Sequence, residues 1–286
     1  MATTTMRLRK KAPAFLTASF WTSARLVIAL IWAVPFIFMI FTSLKYQPDI
    51  FSTPAFAPPP KFAWENYTDA IERGDLTTSI TNSLVIAVFK VPLGLLISSM
   101  AAFAIARLRV PYAKLILGLF VLGTMVPIQV ALAPLFRIIL SLGLLNTRVG
   151  VILPYIAFGI PYQVFMLYGF FVAIPRDLDE AARIDGASNL QIFLRIVLPL
   201  AKPALAALFV LDFVATWNEF AIALVILQRQ STWTVPLALQ SFNTQYTSMY
   251  GPLNAAIIIT ILPVLAVYLL FQRYFVEGIF TGAIKG

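Results

Sequence analysis

Three polar residues share one face of a predicted helix in the second half of the chain. Asp212, Thr216 and Glu219 lie at spacings i, i+4 and i+7 within an otherwise apolar stretch. Carboxylates in such surroundings are costly and usually face a helix-bundle interior or a water-filled path. The pattern favours contact with a polar solute or ion over its alternative, a structural bond to a neighbouring helix.

Composition excludes several other kinds of chemistry. The 286 residues contain no Cys and no His, which excludes disulfides, thiolate chemistry and imidazole ligands. We therefore expect no metal site. The sequence has no Gly-rich phosphate-binding loop of the Walker type, so we expect the chain to bind neither ATP nor another cofactor. Any energy that the protein uses must then come from another subunit or from an ion gradient.

The elements that must position the polar face are membrane helices. Hydrophobic residues make up 60% of the chain and charged residues 12%, unlike soluble proteins. Apolar runs of sufficient length predict an all-α integral membrane protein with six transmembrane helices in one membrane domain, 24–275. The predicted spans are about 24–44, 82–106, 113–137, 149–174, 204–227 and 253–275. We interpret the first run as an uncleaved helix and not as a signal peptide, because no small-residue cleavage site follows it.

Basic residues predict the orientation of these helices. The formal charge of +9 is better explained by Lys and Arg collecting on the cytoplasmic side than by nucleic-acid binding. Such residues are frequent in the N-terminal tail, 1–23, and in the loop 176–203. We therefore predict that this loop, both termini and the C-terminal tail, 276–286, are cytoplasmic.

The loop 176–203 carries dense charge between two apolar runs. Asp177 and Glu180 have capping-box spacing, and Gly186 can end that helix in a left-handed conformation. Ser188 and Gln191 repeat the cap for a second helix, which Pro199 and Pro203 are expected to end. Two short helices joined at a glycine form a stiff projection. An amphipathic helix lying on the membrane would explain the apolar positions but not the glycine between two caps.

The same residues carry a resemblance to a known family. The pattern resembles the EAA loop of permease subunits in prokaryotic ATP-binding-cassette (ABC) importers of type I. The resemblance implies that the loop is a cytoplasmic coupling helix that docks on an ATPase subunit, which binds the ATP and Mg²⁺. The implied coupling residues are Glu180, Ala181, Ala182, Asp185, Gly186, Ala187, Phe193 and Pro199.

A wider resemblance covers nearly the whole chain. It is similar to the smaller permease subunit of maltose-type sugar importers. The matching segments are Asn66-Tyr67, Asn82-Ser83-Leu84, 101–108, Trp217-Asn218-Glu219-Phe220, 274–278 and 282–286. The resemblance implies a non-catalytic subunit of the cell inner membrane. It also implies alternating access with a second, different permease, two ATPase subunits and an extracytoplasmic solute-binding protein. Related subunits serve maltooligosaccharides, other glycosides, polyols and glycerol phosphodiesters, so the solute stays open.

Further residues are assigned to a pathway and to a partner surface. The residues expected to line the pathway are Gln129, Tyr162, Gln163, Asp212, Thr216, Asn218 and Glu219. The loop from Gln228 to Pro252 resembles one that reaches toward the binding protein. Its expected contact residues are Trp233, Phe242, Tyr246 and Tyr250, although anchoring in the membrane interface explains these aromatics about equally well. We also expect the glycine-containing tail from Gly278 to Gly286 to pack on the ATPase subunits, the alternative being a disordered end.

Lys90 departs from the family pattern, because a neutral residue is expected there. It and Glu219 each lie eight residues from the outer end of their predicted spans, about 12 Å deep at 1.5 Å per residue. We predict that they meet, directly or through the partner permease. The alternative is that the Lys side chain extends to the outer surface.

Two other functions remain as alternatives. In a stand-alone ion-coupled transporter, Lys90, Asp212 and Glu219 would form a relay, but the sequence lacks an inverted repeat. In an intramembrane enzyme such as a phospholipid synthase, the acidic run at 177–180 would bind a metal. No second acidic cluster would complete such a site.

Overall fold

A computed structural model describes residues 14–243 and 249–283, with side chains described for 21–243 and 249–273. These residues fold into helices joined by short connections. The helices of the first half are α1 (Ala14–Ser43), α2 (Gln47–Ser52), α3 (Glu65–Arg73), α4 (Leu76–Arg107), α5 (Ala113–Thr124), α6 (Ile128–Ser141) and α7 (Arg148–Ala173).

The second half begins with the loop helices. They are α8 (Asp177–Ile184), α9 (Asn189–Ile192), a π-helix (Phe193–Val197) and α10 (Leu198–Leu200). The remaining elements are α11 (Lys202–Trp217), α12 (Ala221–Ile226), a 3₁₀ turn (Gln230–Thr232), α13 (Val235–Gln240) and α14 (Tyr250–Ala283).

The described residues contain four single helices that are long and apolar enough to cross a membrane, or up to six crossings if each bent pair counts as one. The single helices are Trp21–Ser43, Leu76–Arg107, Arg148–Ala173 and Tyr250–Arg273. The chain bends by 94° between Ala113–Gly123 and Ile128–Ser141, and by 75° between Asn189–Leu200 and Lys202–Trp217. The helices α1 and α14 extend beyond the predicted spans, because a bilayer sets only the length of the apolar part.

Two predicted spans are interrupted. The span over 113–137 consists of two helices in the structure, because Pro127 stands at the N-cap of α6 and disfavours helical geometry at Val126. The span over 204–227 is interrupted at Asn218–Phe220, where α11 has ended and α12 has not begun. Prolines elsewhere in the long apolar helices lie inside them without ending them: Pro35, Pro92, Pro154, Pro161 and Pro263.

The core of the bundle is the packing of α4 against α7, with α11 and α14 alongside. Small residues on α4 face α7, and a Cβ added at Gly94 would lie 3.5 Å from the Gln163 side chain. Small residues let membrane helices approach closely, so that van der Waals contact can hold them together where apolar burial adds little. On α7, Val164, Leu167 and Phe171 are fully buried in this contact.

The loop 228–243 is held in place by asparagine side chains. Asn82 Nδ2 donates to the carbonyls of Ser231 and Trp233, at 3.1 and 3.0 Å, while its Oδ1 accepts from the Arg148 guanidinium. Asn146 Oδ1 accepts from the backbone N–H groups of Gln228 and Arg229. These bonds satisfy loop backbone groups and fix the loop on α4 and on the connection before α7.

Candidate functional site

A cavity of about 180 Å³ lies between α4, α7 and the break that separates α11 from α12. It contains the polar face that the sequence predicts. Its lining residues are Lys90, Ile128, Tyr155, Phe158, Gly159, Asp212, Ala215, Thr216, Glu219 and Ile222. Asp212, Thr216 and Glu219 are therefore brought together, as the helical spacing indicated.

Lys90 forms an ion pair with Asp212 and not with Glu219. The two side chains are 4% and 11% exposed. The predicted direct contact with Glu219 is not formed, because an equal depth of the two residues requires one continuous helix over 204–227. Since α11 ends at Trp217, Glu219 leaves the helical face that carries Asp212. Lys90 is buried within the bundle, so its side chain does not extend to the surface.

Glu219 caps the helix that follows the break. Its Oε1 accepts from Ile222 N at 2.8 Å, and its Oε2 accepts from Ala223 N at 3.1 Å and from the Tyr155 hydroxyl. The first N–H groups of a helix lack partners within the helix, and a carboxylate there also complements the helix dipole. Glu219 thus has a structural role in this conformation, and Tyr155 ties α7 to it.

The other residues predicted to line the pathway are distributed differently. Thr216 Oγ1 donates to the Asp212 carbonyl at 2.6 Å, and buried Gln163 accepts from Ser98 at 2.8 Å. Among the described side chains, Gln129, Tyr162 and Asn218 are exposed and lie outside the lining of this cavity.

Sequence reasoning did not assign Tyr155 or Gly159 to the cavity. A Tyr in an apolar helix usually finds a hydrogen-bond partner when buried, which could have pointed to Tyr155. A Cβ at Gly159 would lie 3.3 Å from Lys90 Nζ and 3.3 Å from Gln163 Nε2. The missing side chain at Gly159 therefore leaves room for the Lys90 ammonium between α4 and α7.

The loop 176–203 has the two-helix geometry expected from its caps, with one difference. Ser188 and Gln191 form a reciprocal capping box, with bonds of 3.3 and 2.7 Å. Gly186 has φ +82°, the left-handed conformation that favours glycine. The predicted cap by Asp177 is wrong: Arg176 is the N-cap of α8, without a side-chain cap bond, and Asp177 is already helical. Its charge still complements the helix dipole.

The second loop helix ends in the region that its prolines predicted. Helical geometry continues through the π-helix and α10 to Leu200, and the bend follows immediately before α11. Pro199 lies in the last turn of this helix. Pro203 stands in the first turn of α11, where its missing N–H is not needed.

An Arg at the end of α4 anchors the loop. Arg107 Nη1 lies 3.3 Å from Asp179 Oδ2, and Nη2 donates to the Ile174 carbonyl at 2.7 Å. The ring centroids of Phe103 and Phe193 are 5.1 Å apart. Asp179 was not among the predicted coupling residues, yet it is buried, whereas Glu180, Asp185 and Pro199 are exposed. Buried residues fix the loop on α4, and the exposed ones face outward.

The predicted binding-protein contacts separate into buried and exposed residues. Phe242 is 1% exposed, so it cannot contact a partner in this conformation. A Cβ added at Gly74 would lie 2.9 Å from its ring, which shows how closely Phe242 packs on the end of α3. Trp233 is partly buried, and Tyr250 is 40% exposed with its ring 5.7 Å from that of Phe51. Tyr246 lies outside the described residues.

The bundle of membrane helices, its polar cavity and the anchored projection define a multi-pass component of a membrane transport system. The family model described as "Binding-protein-dependent transport system inner membrane component" matches residues 91–281. The chain belongs to this family. It is the non-catalytic inner-membrane permease component of a binding-protein-dependent ABC importer, in a family without bound cofactors.

Curated relatives match most of the chain. The diacetylchitobiose uptake permease NgcG of Streptomyces coelicolor is 35% identical over 254 residues, covering 88% of this chain and 84% of the relative. The trehalose permease SugB of Mycobacterium tuberculosis is 37% identical over 231 residues, with 80% and 84% covered. The melibiose/raffinose/stachyose import permease MelC of Bacillus subtilis is 33% identical over 261 residues, with 91% and 94% covered.

Two solved structures share the fold. A chain of a bacterial ABC transporter that imports the acidic polysaccharide alginate has a TM-score of 0.78 at 24% identity, covering 94% of this chain and 100% of that one. A chain of an alginate transporter in complex with a pentasaccharide-bound periplasmic protein has a TM-score of 0.62 at 18% identity, with 90% and 94% covered. The predicted all-α fold of an ABC importer permease is confirmed.

Proposed function

We propose that this chain pairs with a second, different permease to form an alternating-access pathway for a neutral oligosaccharide. ATP hydrolysis in two separate ATPase subunits drives the cycle, and an extracytoplasmic solute-binding protein delivers the solute. Both termini lie in the cytoplasm of a prokaryotic cell. The named relatives transport diacetylchitobiose, trehalose and raffinose-type sugars, which supports a carbohydrate as solute.

The observation that carries this proposal is the cytoplasmic loop. Asp179 and Phe193 attach it to α4, while Glu180 and Asp185 remain exposed beside the left-handed Gly186. A ligand shifts a conformational equilibrium only if it interacts differently with the two states. An exposed, stiff projection fixed to a membrane helix can make a contact that differs between the two states, because an ATPase that binds the projection moves α4 with it.

The pathway role falls to the cavity between α4, α7 and α11. Asp212 and Thr216 line it on the α11 side, and Lys90 lines it on the α4 side. On the outer surface, Trp233 and Tyr250 remain as proposed contacts for the binding protein, whereas Phe242 supports the loop from inside. The tail from Gly278 to Gly286 is proposed to contact the ATPase subunits. Helix α14 includes Gly278 and Gly282, while Gly286 lies outside the described residues.

Reconstitution tests the proposal. The chain is co-expressed with its second permease, its ATPase and its binding protein, and the purified complex is placed in proteoliposomes. Uptake of radiolabelled diacetylchitobiose, trehalose and raffinose is measured with ATP or a non-hydrolysable analogue on the ATPase side. We expect uptake of at least one sugar that requires both hydrolysable ATP and the binding protein.

Two controls test whether uptake depends on ATP hydrolysis and on the partner subunits. An ATPase variant that binds but does not hydrolyse ATP should abolish uptake without preventing assembly. Uptake by the chain alone, driven by an ion gradient and indifferent to ATP, would contradict the proposal and favour a secondary transporter.

A further inference from the structure

One polar atom of the intramembrane cavity lacks a partner among the described residues. Asp212 Oδ1 accepts from Lys90, but the buried Oδ2 of the same carboxylate has no hydrogen bond within the described part of the chain. Gln163 Nε2, close to Lys90 across Gly159, also lacks a partner among the described residues, but it is a donor and lies outside the lining of the cavity. The other polar groups of the lining are occupied. Glu219 accepts three hydrogen bonds, and the Thr216 hydroxyl donates to a backbone carbonyl. Free acceptor capacity is thus concentrated at Asp212 Oδ2.

A buried acceptor without a partner is costly, so such an atom calls for an explanation. The ion pair with Lys90 fixes Asp212, because Lys90 is held between α4 and α7 over Gly159. The pair as a whole is neutral. A neutral, hydroxylated molecule therefore meets an oriented acceptor without bringing a net charge into the membrane.

We infer that Asp212 Oδ2 accepts a hydrogen bond from a hydroxyl group of the transported solute, and that Lys90 is the residue that positions it. This inference rests on the proposed function and adds a solute contact within this chain. The cavity volume of about 180 Å³ lies below the roughly 300–1,000 Å³ of pockets for drug-sized ligands. In this conformation it takes the hydroxylated edge of one sugar ring and not a whole oligosaccharide.

The test separates solute contact from structural support. In the double variant Lys90→Met/Asp212→Leu the ion pair is replaced by apolar side chains, a change that proteins often tolerate. The variant complex should assemble with its ATPase and retain ATP hydrolysis stimulated by the loaded binding protein. Uptake of the sugar that the wild-type complex transports should fall about 10- to 100-fold in kcat/KM, because a hydrogen bond to a charged acceptor is lost.

A polar replacement and a matched surface variant complete the design. Lys90→Gln/Asp212→Asn keeps an amide acceptor at position 212 and should recover part of the lost uptake. Asp69→Asn removes a carboxylate from an exposed pair with Arg73, 3.4 Å apart on α3, and should leave uptake unchanged.

The outcomes are distinct. Wild-type uptake together with normal uptake by the apolar double variant would overturn the inference alone. A parallel loss of stimulated hydrolysis and uptake would also overturn it, because the pair would then support the conformational cycle and not the solute. Absence of ATP-dependent uptake by the wild-type complex overturns the proposed function, and the inference with it.

Discussion

Helix α4 carries two basic residues that each pair with a carboxylate from another helix, one inside the bundle and one at the end next to the loop 176–203. Lys90 pairs with Asp212 of α11, and Arg107 pairs with Asp179 of α8. The two cations are separated by about 25 Å along the helix at 1.5 Å per residue. One continuous helix therefore connects the polar cavity to the loop 176–203.

The two pairs depend on their surroundings in different ways. Arg107 also donates to the Ile174 carbonyl, and a cavity of about 360 Å³ beside it is lined by further basic residues, Arg176 and Arg183. The Lys90–Asp212 pair has mainly apolar neighbours, where an unpaired charge is expensive. If Arg107 were lost, Asp179 would thus still have cations nearby. If Lys90 were lost, Asp212 would have no cation at a comparable distance among the described residues.

The largest expected effect is that of breaking the inner pair, Lys90–Asp212. Lys90→Met leaves the Asp212 carboxylate buried without its cation and should destabilise the permease by about 3–5 kcal/mol. The measurement is thermal unfolding of the purified complex in detergent. Adding Asp212→Leu to the same chain should restore most of the stability, because neither charge then remains. A single variant as stable as the wild type would show that the inner pair is not essential to the fold.

Breaking the outer pair, Arg107–Asp179, should destabilise the protein less. Arg107→Met removes one ion pair and one hydrogen bond, and we expect a loss of about 1–3 kcal/mol because other cations lie near Asp179. Its clearer consequence is functional: the loop loses its anchor on α4, so ATPase stimulation by the loaded binding protein should fall more than assembly. Arg109→Met, an exposed Arg lining the same cavity, is the matched control. Equal effects at both positions would contradict an anchoring role for Arg107.

The two regions also differ in how far the sequence predicts them. In the loop 176–203, the Ser188–Gln191 capping box and the left-handed Gly186 follow from residues within a few positions of each other. Local chemistry decides such features. The pairing of Arg107 with Asp179 is not local, and sequence reasoning assigned importance to the exposed Glu180 instead of its buried neighbour.

Inside the membrane, the helical spacing of Asp212 and Thr216 correctly placed both residues on one cavity. The sequence did not predict the partner of Lys90, for a physical reason. An equal depth of Lys90 and Glu219 in the membrane requires an unbroken fifth helix, but α11 ends at Trp217, and Glu219 caps α12 instead. The sequence carries no proline or glycine at Asn218–Phe220 to mark this break, so only the tertiary structure reveals it.

The third prediction concerns the stiffness of the loop. Gly186→Val forces a β-branched residue into φ +82° and should cost about 1–2 kcal/mol, although no atom lies within 4 Å of the added Cβ. The variant should remain in the membrane but show weaker ATPase association or hydrolysis uncoupled from uptake. Gly186→Asn is the control, because Asn tolerates the left-handed conformation and should retain coupling. Normal coupling in the Val variant would refute the role assigned to this glycine.

The smallest expected effect uses a glycine pair on α7. A Cβ at Gly159 would lie 3.3 Å from Lys90 Nζ, whereas one at Gly169 would have no atom within 4 Å. Both substitutions to Ala gain the same helix propensity, so the difference between them reports crowding at Lys90 and at Gln163, which is also 3.3 Å from the added Cβ. We expect Gly159→Ala to be less stable than Gly169→Ala by about 1 kcal/mol or less, since a flexible Lys end can shift by tenths of an ångström.

The rate of uptake should differ more between Gly159→Ala and Gly169→Ala than their stability does. A displaced Lys90 ammonium turns the Asp212 carboxylate, so Gly159→Ala should lower kcat/KM for uptake while Gly169→Ala leaves it unchanged. The outer pair serves as the internal reference, because Arg107 is about 25 Å from Lys90 along α4 and ATPase stimulation should be the same in both variants. If Gly159→Ala lowers stimulation and uptake together, the inner pair acts on the conformational cycle through α4. If it lowers uptake alone, the two ends of α4 have separate tasks, the inner one for the solute and the outer one for the ATPase.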